Sequence, residues 1–133
     1  MATWDDVARI VGRLPATNED SSRNWRVGKK LIAWERPLRK ADVVALGADA
    51  PAGDILGARV PDEGVKFTLI AEDPGVYFTT PHFDGYPAVL VRLAEIGLPE
   101  LEELITEAWL AQAPKSLSRK FLKGCGEALE DKE

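Results

Sequence analysis

The sequence has little of the chemistry on which many enzymes and extracellular proteins depend. Its 133 residues include one cysteine, Cys125, and one histidine, His82. A single cysteine excludes an intramolecular disulfide and is typical of a reducing cytoplasm. A single histidine excludes any site that needs two, and one histidine and one cysteine far apart in the chain are not a zinc motif. We therefore expect no metal and no cofactor.

Long apolar runs and familiar catalytic motifs are also missing. No apolar run approaches the roughly 20 residues of a membrane-spanning helix, and the first residues carry two acids in place of an apolar signal region. The glycines form neither a dinucleotide fingerprint nor a Walker loop, and no serine lies in a G-x-S-x-G elbow. We expect a cytoplasmic protein that contacts no membrane and is not an enzyme.

What the chain does contain is an ordinary globular composition. Apolar residues make up 45% and charged residues 29%, which excludes disorder over most of the length. A chain of this length normally forms one domain. No internal repeat or low-complexity linker divides it. We therefore expect a single domain over residues 1–123, followed by a frayed tail over residues 124–133.

Two segments have the apolar spacing of amphipathic helices. Residues 3–14 begin at Thr3, a good N-cap, and end before Pro15. The second helix begins near Pro99, with acids in its first turn where the helix dipole favours negative charge. Its apolar stripe includes Trp109, which we expect to be buried.

The segments between these helices mostly predict strands. Residues 61–73 fit either a strand or a helix, and the residues alone favour the helix only weakly. The order α-βββ-α-ββ-α predicts a single two-layer α+β domain, with helices packed on a mainly antiparallel sheet. The predicted strands cover residues 25–34, 41–46, 54–60, 76–79 and 86–93.

Two positions are open for Trp34, one exposed and one buried. Strand alternation from Trp25 would place it on the opposite face of the sheet. It is either an exposed binding anchor or partly buried under the last helix, and the pattern favours burial.

The distribution of charge is uneven. The net charge is −5, yet residues 23–40 hold seven cations and one acid, and residues 115–123 hold four cations and no acid. We call these the first and second basic segments. Such asymmetry can mark a nucleic-acid surface on an acidic protein, and the alternative is that these side chains are ordinary solvated surface paired with the acidic remainder. The candidate nucleic-acid-binding residues are Arg23, Arg26, Lys29, Lys30, Arg36, Arg39, Lys40, Lys115, Arg119 and Lys120.

Four stretches of the chain resemble the MmcQ/YjbR family, over residues 4–121. The first is the N-terminal helix running into Leu14-Pro15, and the second is the W-R-V-G-K-K stretch that begins at Trp25. The third and most distinctive is E-D-P-G-V-Y-F-T-T-P-H-F-D-G-Y-P-A-V-L-V-R-L over residues 72–93, and the fourth is E-L-E-E-L-I-T-E-A-W followed by A-P-K. Where many members open the last strand with tryptophan, this chain has Tyr86.

The resemblance implies an α-βββ-α-ββ-α domain of the secretion-chaperone-like type, with residues 63–72 as a helix. Members are commonly described as DNA-binding, largely by analogy of fold. The family brings no established catalytic motif. The first hypothesis is therefore a non-enzymatic domain that binds DNA weakly and non-specifically, through contacts to phosphate.

Two other functions stay open at this point. The main alternative is an adaptor that binds a protein or a small ligand in an apolar groove between sheet and helix. The third hypothesis is an enzyme built on His82 and distant carboxylates. The protein partner and the oligomeric state are not indicated by the residues.

Overall fold

The N-terminal helix begins where the sequence predicts it. In the computed structural model, which describes residues 2–47 and 53–121, α1 spans Trp4–Gly12. Thr3 is the N-cap and forms a capping box with Asp6: the Thr3 backbone N–H donates to Asp6 Oδ2 at 2.9 Å, and the Asp6 N–H donates to Thr3 Oγ1 at 3.3 Å. The apolar side chains Val7, Ile10 and Val11 are buried against the sheet.

Six antiparallel strands form one sheet in the order β1-β2-β3-β4-β6-β5. The strands are β1 (Thr17–Glu19), β2 (Asn24–Val27), β3 (Lys30–Glu35), β4 (Ile55–Arg59), β5 (Tyr77–Phe78) and β6 (Ala88–Arg92). The helices after α1 are α2 (Lys40–Leu46), α3 (Glu63–Glu72) and α4 (Leu98–Gln112), with a short 3₁₀ turn at Pro81–Phe83. Residues 115–121 are also helical.

The sheet is buried on both faces, as strand alternation shows. Leu56 and Ala58 of β4 belong to the larger core, which α1 and α4 cover. Ile55 lies in a smaller cluster on the opposite face, together with Trp34. That second cluster is completed by Phe78, Phe83, Ala88 and Leu90, with Leu31, Leu38 and Leu46 packed against it.

The predicted fold class is confirmed: the chain forms a single α+β domain with an antiparallel sheet. The observed order of elements is α1-β1-β2-β3-α2-β4-α3-β5-β6-α4. It agrees with the predicted order in its first helix, the three strands after it, and the helix, two strands and helix that end it. Residues 63–72, for which the resemblance implies a helix, form α3, and the Asp62 carboxylate accepts from the Val65 N–H at 2.9 Å as its N-terminal cap. Trp109 is buried as predicted, with 0% of its surface exposed.

The prediction of one strand over residues 25–34 is wrong, because the chain reverses at Gly28. Gly28 has φ +60° and opens a two-residue turn between β2 and β3, so Val27 pairs with Lys30. A glycine at the first position of such a turn suits the twist of a hairpin. Further along, Ile32 is the extra residue of a β-bulge, which changes which side chains face the core.

The prediction of a strand over residues 41–46 is also wrong, since this segment is α2. Val43 and Val44 are exposed and make no apolar core face. The helix is fixed instead by Asp42, whose carboxylate accepts from the Arg39 backbone N–H at 2.9 Å. Residues 17–19, which none of the predicted strands includes, form the polar edge strand β1.

Trp34 is buried, but on the face of the sheet opposite α4. It contacts Phe83 with ring centroids 6.3 Å apart, and it lies over Gly57 of β4. The predicted tail over residues 124–133, with Cys125, lies outside the described residues.

Candidate functional site

Three of the ten predicted nucleic-acid-binding residues are in ion pairs with acids of this chain. Arg23 bonds to Glu35 at 3.3 Å, and Arg26 bonds to Asp20 at 3.0 Å. Hydrogen bonds from Asn24 and Arg26 lower the pKa of Asp20 to about 2, so this acid is ionised at neutral pH. These guanidinium groups already have an anionic partner, which makes them poorer phosphate ligands.

Arg36 is the most strongly engaged of the three. Its side chain is buried, donates to Asp42 Oδ2 at 3.0 Å and to the Pro37 carbonyl, and lies over the Phe83 ring. Burial acts to raise the pKa of Asp42, but the Arg39 backbone N–H and the Arg36 guanidinium outweigh burial and hold that pKa below its ordinary value. Arg36 therefore joins β3 to α2 and is not available to a ligand.

Five of the remaining cations lie on two adjoining elements. Lys29 and Lys30 are in the β2–β3 turn and at the start of β3, and Lys115, Arg119 and Lys120 are in helix 115–121. Gln112, at the end of α4, donates through Nε2 to the carbonyl of Leu31 at 3.1 Å. This bond places the start of helix 115–121 beside the start of β3 and the β2–β3 turn. Within residues 2–47 and 53–121, none of the five is in an ion pair, and all are exposed. We call Lys29, Lys30, Lys115, Arg119 and Lys120 the basic end.

Arg39 and Lys40 lie elsewhere, at the N-terminus of α2. Arg39 borders a depression of about 540 Å³ whose lining includes Trp34, His82 and Tyr86. His82 is exposed in the 3₁₀ turn, and its ring meets that of Phe83 edge to face at 4.9 Å. The ten predicted residues are thus divided among three in ion pairs, two at the start of α2 and five at the basic end.

A groove of about 600 Å³ lies between α3, α4 and strand β5. Its apolar lining comes from Val60, Pro61, Val65, Leu69 and Leu104. This volume is in the range of small-molecule sites. The groove is the apolar depression between sheet and helix that the adaptor hypothesis requires.

Carboxylates form the rim of this groove on two elements. Glu100, Glu103 and Glu107 recur along one face of α4, next to its buried stripe. Glu72 and Asp73 lie opposite, at the C-terminal end of α3. In the part of the chain that the structure describes, none of the five is in an ion pair, and no lining residue is basic.

Tyr77 of β5 brings a polar group into the groove. Its side chain lines the groove, only 5% of the residue is exposed, and its hydroxyl has no hydrogen-bond partner among residues 2–47 and 53–121. Burial raises the pKa of Tyr77 to about 12, and the negative charges of Glu100, Asp73 and Glu103 act in the same direction. At neutral pH the hydroxyl is therefore protonated, and it can both donate and accept.

Sequence reasoning did not find this site. From the sequence alone, the helix dipole explains Glu100 and Glu103, and Tyr77 is only a residue of a predicted strand. The signal that was present is the i, i+3, i+7 spacing of Glu100, Glu103 and Glu107, which places three like charges on one helix face. The residues alone do not predict the opposite wall of the groove, because residues 61–73, which contain α3, fit either a strand or a helix.

No group of three or more histidine, cysteine or acidic side chains in the described ranges converges closely enough to hold a metal ion. None of the helices in those ranges has the length and apolarity that crossing a bilayer requires.

Comparison with curated proteins identifies relatives in mycobacteria. The chain is 70% identical over 129 residues to the uncharacterized protein Rv2570 of Mycobacterium tuberculosis (strain H37Rv), covering 95% of this chain and 100% of that protein. The uncharacterized protein Mb2600 of Mycobacterium bovis matches with the same identity and coverage. The chain belongs to the family of these mycobacterial proteins. No family model and no solved structure matches the chain.

Proposed function

We propose that the protein is a non-enzymatic cytoplasmic domain that binds a ligand in the groove between α3, α4 and β5. The observation that carries this proposal is Tyr77, whose side chain lines an apolar groove with 5% of the residue exposed and whose hydroxyl has no partner in the described part of the chain. Small-ligand sites combine apolar walls with a few polar groups that can form hydrogen bonds with the ligand.

Binding can be tested by filling the groove. Val65 and Val44 are both exposed valines on helices, but only Val65 lines the groove. We expect a library of small aliphatic and aromatic fragments to shift the amide NMR signals of groove residues in the wild type and in Val44→Trp. Val65→Trp should abolish those shifts, because the indole occupies the same space. If no fragment perturbs the groove in the wild type, the proposal is wrong.

A second candidate function is weak, non-specific DNA binding through the basic end. The hydrogen bond from Gln112 to the Leu31 carbonyl favours it, because that bond brings the two basic segments together. The proposed contacts are fewer than the ten predicted residues, since Arg23, Arg26 and Arg36 are paired with acids. Binding would be to phosphate and would depend steeply on salt.

Fluorescence anisotropy with a labelled DNA duplex over a salt series tests this second function. Each phosphate contact contributes about −0.9 to the slope of log affinity against log salt concentration. We expect the double variant Lys29→Ala, Lys30→Ala to reduce the slope by about two contacts. The matched variant Arg39→Ala, Lys40→Ala removes the same charge away from the basic end and should leave the slope unchanged. Absence of binding by the wild type at low salt excludes this function.

We also propose that the chain is a member of the MmcQ/YjbR family. The distinctive stretch over residues 72–93 forms one continuous unit, from the end of α3 through β5 and the 3₁₀ turn to β6. The helix implied for residues 63–72 is present. A solved structure of a recognised family member with this strand order and the same groove would support the membership.

A further inference from the structure

The rim of the groove is negatively charged, and no basic side chain of the described residues is paired with its carboxylates. Elsewhere in the molecule, Asp20, Glu35 and Asp42 each pair with an arginine. The five rim carboxylates, Glu72, Asp73, Glu100, Glu103 and Glu107, have no such partner in the described residues. Like charges gathered on two facing walls repel one another, and a bound cation would relieve that repulsion.

We propose that the groove binds an aliphatic organic cation whose ammonium groups lie beside the rim carboxylates and whose methylene chain covers the apolar floor. This inference rests on the ligand-binding function proposed for the groove and names the chemistry of the ligand. It is independent of DNA binding, which involves other residues.

The arrangement of the rim favours a linear cation with more than one charge. Glu100 and Glu107 are seven residues apart on α4, which corresponds to about 10 Å along the helix axis. Glu72 and Asp73 stand on the opposite wall. The carboxylates are therefore spread along and across the groove, and a chain with ammonium groups at separate positions can meet several of them.

The apolar floor of the groove favours a ligand with methylene groups over a metal ion. Val60, Leu69 and Leu104 offer carbon atoms, which a hard cation such as Ca²⁺ cannot use because it binds oxygen ligands on all sides. No three described carboxylates converge closely enough to hold a metal ion. An aliphatic chain gains from burying its methylene groups on such a floor.

Tyr77 supplies the polar contact inside the groove. Its unpartnered hydroxyl can accept a hydrogen bond from an ammonium N–H while donating its own proton to a carboxylate. The negative charges of Glu100, Asp73 and Glu103 act on this hydroxyl, so they lie near enough to attract the same ammonium group.

The test compares three probes that share one carbon chain and differ only in charge. These are diaminooctane, octanediol and octanedioate, titrated into the full chain at neutral pH and followed by calorimetry and by amide NMR shifts. We expect diaminooctane to bind in the groove, octanediol to bind at least about tenfold more weakly, and octanedioate not to bind.

Two substitutions in the groove and one matched control locate the binding. Glu103→Gln should weaken diaminooctane about fivefold, as expected for one partly exposed charge pair. Glu102→Gln makes the same change at the neighbouring exposed residue, which does not line the groove, and should have no effect. Tyr77→Phe removes only the hydroxyl and should weaken diaminooctane about three- to tenfold.

The outcomes separate this inference from the function on which it rests. Octanediol binding in the groove as tightly as diaminooctane, with Glu103→Gln without effect, overturns the cation and leaves groove binding intact. Tighter binding of octanedioate overturns it in the same way. If none of the three probes and no fragment binds, both the inference and the proposed function fail.

Discussion

The side-chain ammonium of Lys66 lies 2.7 Å from the carbonyl oxygen of Phe83 and 3.1 Å from that of Tyr86. Lys66 is on α3 and only 1% of it is exposed. Burial lowers the pKa of Lys66, while Glu63 and Asp84 oppose this shift. The contact fastens the loop between β5 and β6 to α3, which forms one wall of the groove.

Replacing Lys66 with Met should destabilise the protein by about 2 kcal/mol. The methionine keeps the apolar stem but leaves the carbonyl oxygens of Phe83 and Tyr86 without a charged donor, and hydrogen bonds to charged groups are worth about 1.5–3 kcal/mol. Urea unfolding followed by tryptophan fluorescence measures the loss. Lys40→Met, at an exposed position, is the control and should change the midpoint little. Equal midpoints for the two variants would show that the buried ammonium contributes no net stability.

Gly57 leaves the space that Trp34 fills on the second face of the sheet. A Cβ placed on Gly57 would overlap the indole of Trp34, since Cε2, Nε1 and Cζ2 of that ring lie far inside van der Waals contact. Gly57→Ala should therefore destabilise the protein by about 1–3 kcal/mol, as overpacking does. Gly12→Ala is the matched control, since Gly12 ends α1 with open space around it, and alanine there should be neutral or slightly stabilising. A tolerated Gly57→Ala would mean that Trp34 can repack without cost.

Much of the fold could be predicted from local patterns. The cap at Thr3, the apolar stripe of α4 and the alternation of β4 and β6 all act through neighbouring residues, and the structure has each of them. The errors arose where distant contacts decide the conformation. Residues 41–46 have β-branched side chains typical of a strand, but the Arg36–Asp42 pair fixes them as a helix.

The candidate site was less predictable than the fold. Counting cations locates basic segments, but it does not show that Asp20 lies within 3.0 Å of Arg26 or that Glu35 faces Arg23. These pairings depend on the strand register of the β1–β3 meander, and local patterns predict neither β1 nor the turn at Gly28. The groove depends on two helices far apart in the chain.

Trp109 should be the most costly single residue to truncate in the larger core. It is fully buried, its Nε1–H donates to the Pro15 carbonyl at 2.9 Å, and its ring contacts that of Phe121. Trp109→Ala should lower the free energy of unfolding by about 3–5 kcal/mol. Trp109→Phe keeps much of the apolar area but loses the hydrogen bond, and should cost less. A near-neutral alanine variant in denaturant unfolding would contradict the packing described for α4.

Tyr77 should ionise only at strongly alkaline pH. Its pKa is raised to about 12 by burial and by neighbouring carboxylates, against a reference value of 10.0. The chain has two tyrosines, so in a Tyr86→Phe background the ultraviolet absorbance of phenolate reports Tyr77 alone. We expect its midpoint near pH 12 in the folded protein, with folding followed by circular dichroism, and near 10 in denaturant. A midpoint near 10 in the folded state would show that the hydroxyl is solvated.

The raised pKa of Tyr77 also makes the stability of the fold depend on pH, and stability falls as the pH rises above about 10. Below about pH 10, Tyr77 is neutral in both the folded and the unfolded state, so it contributes no pH dependence. Between about pH 10 and 12 the unfolded chain ionises first, which stabilises the unfolded state relative to the folded state. Tyr77→Phe removes this titration. In urea unfolding at pH 8 and pH 11, wild type should therefore lose more stability than Tyr77→Phe, and equal losses would exclude the shifted pKa.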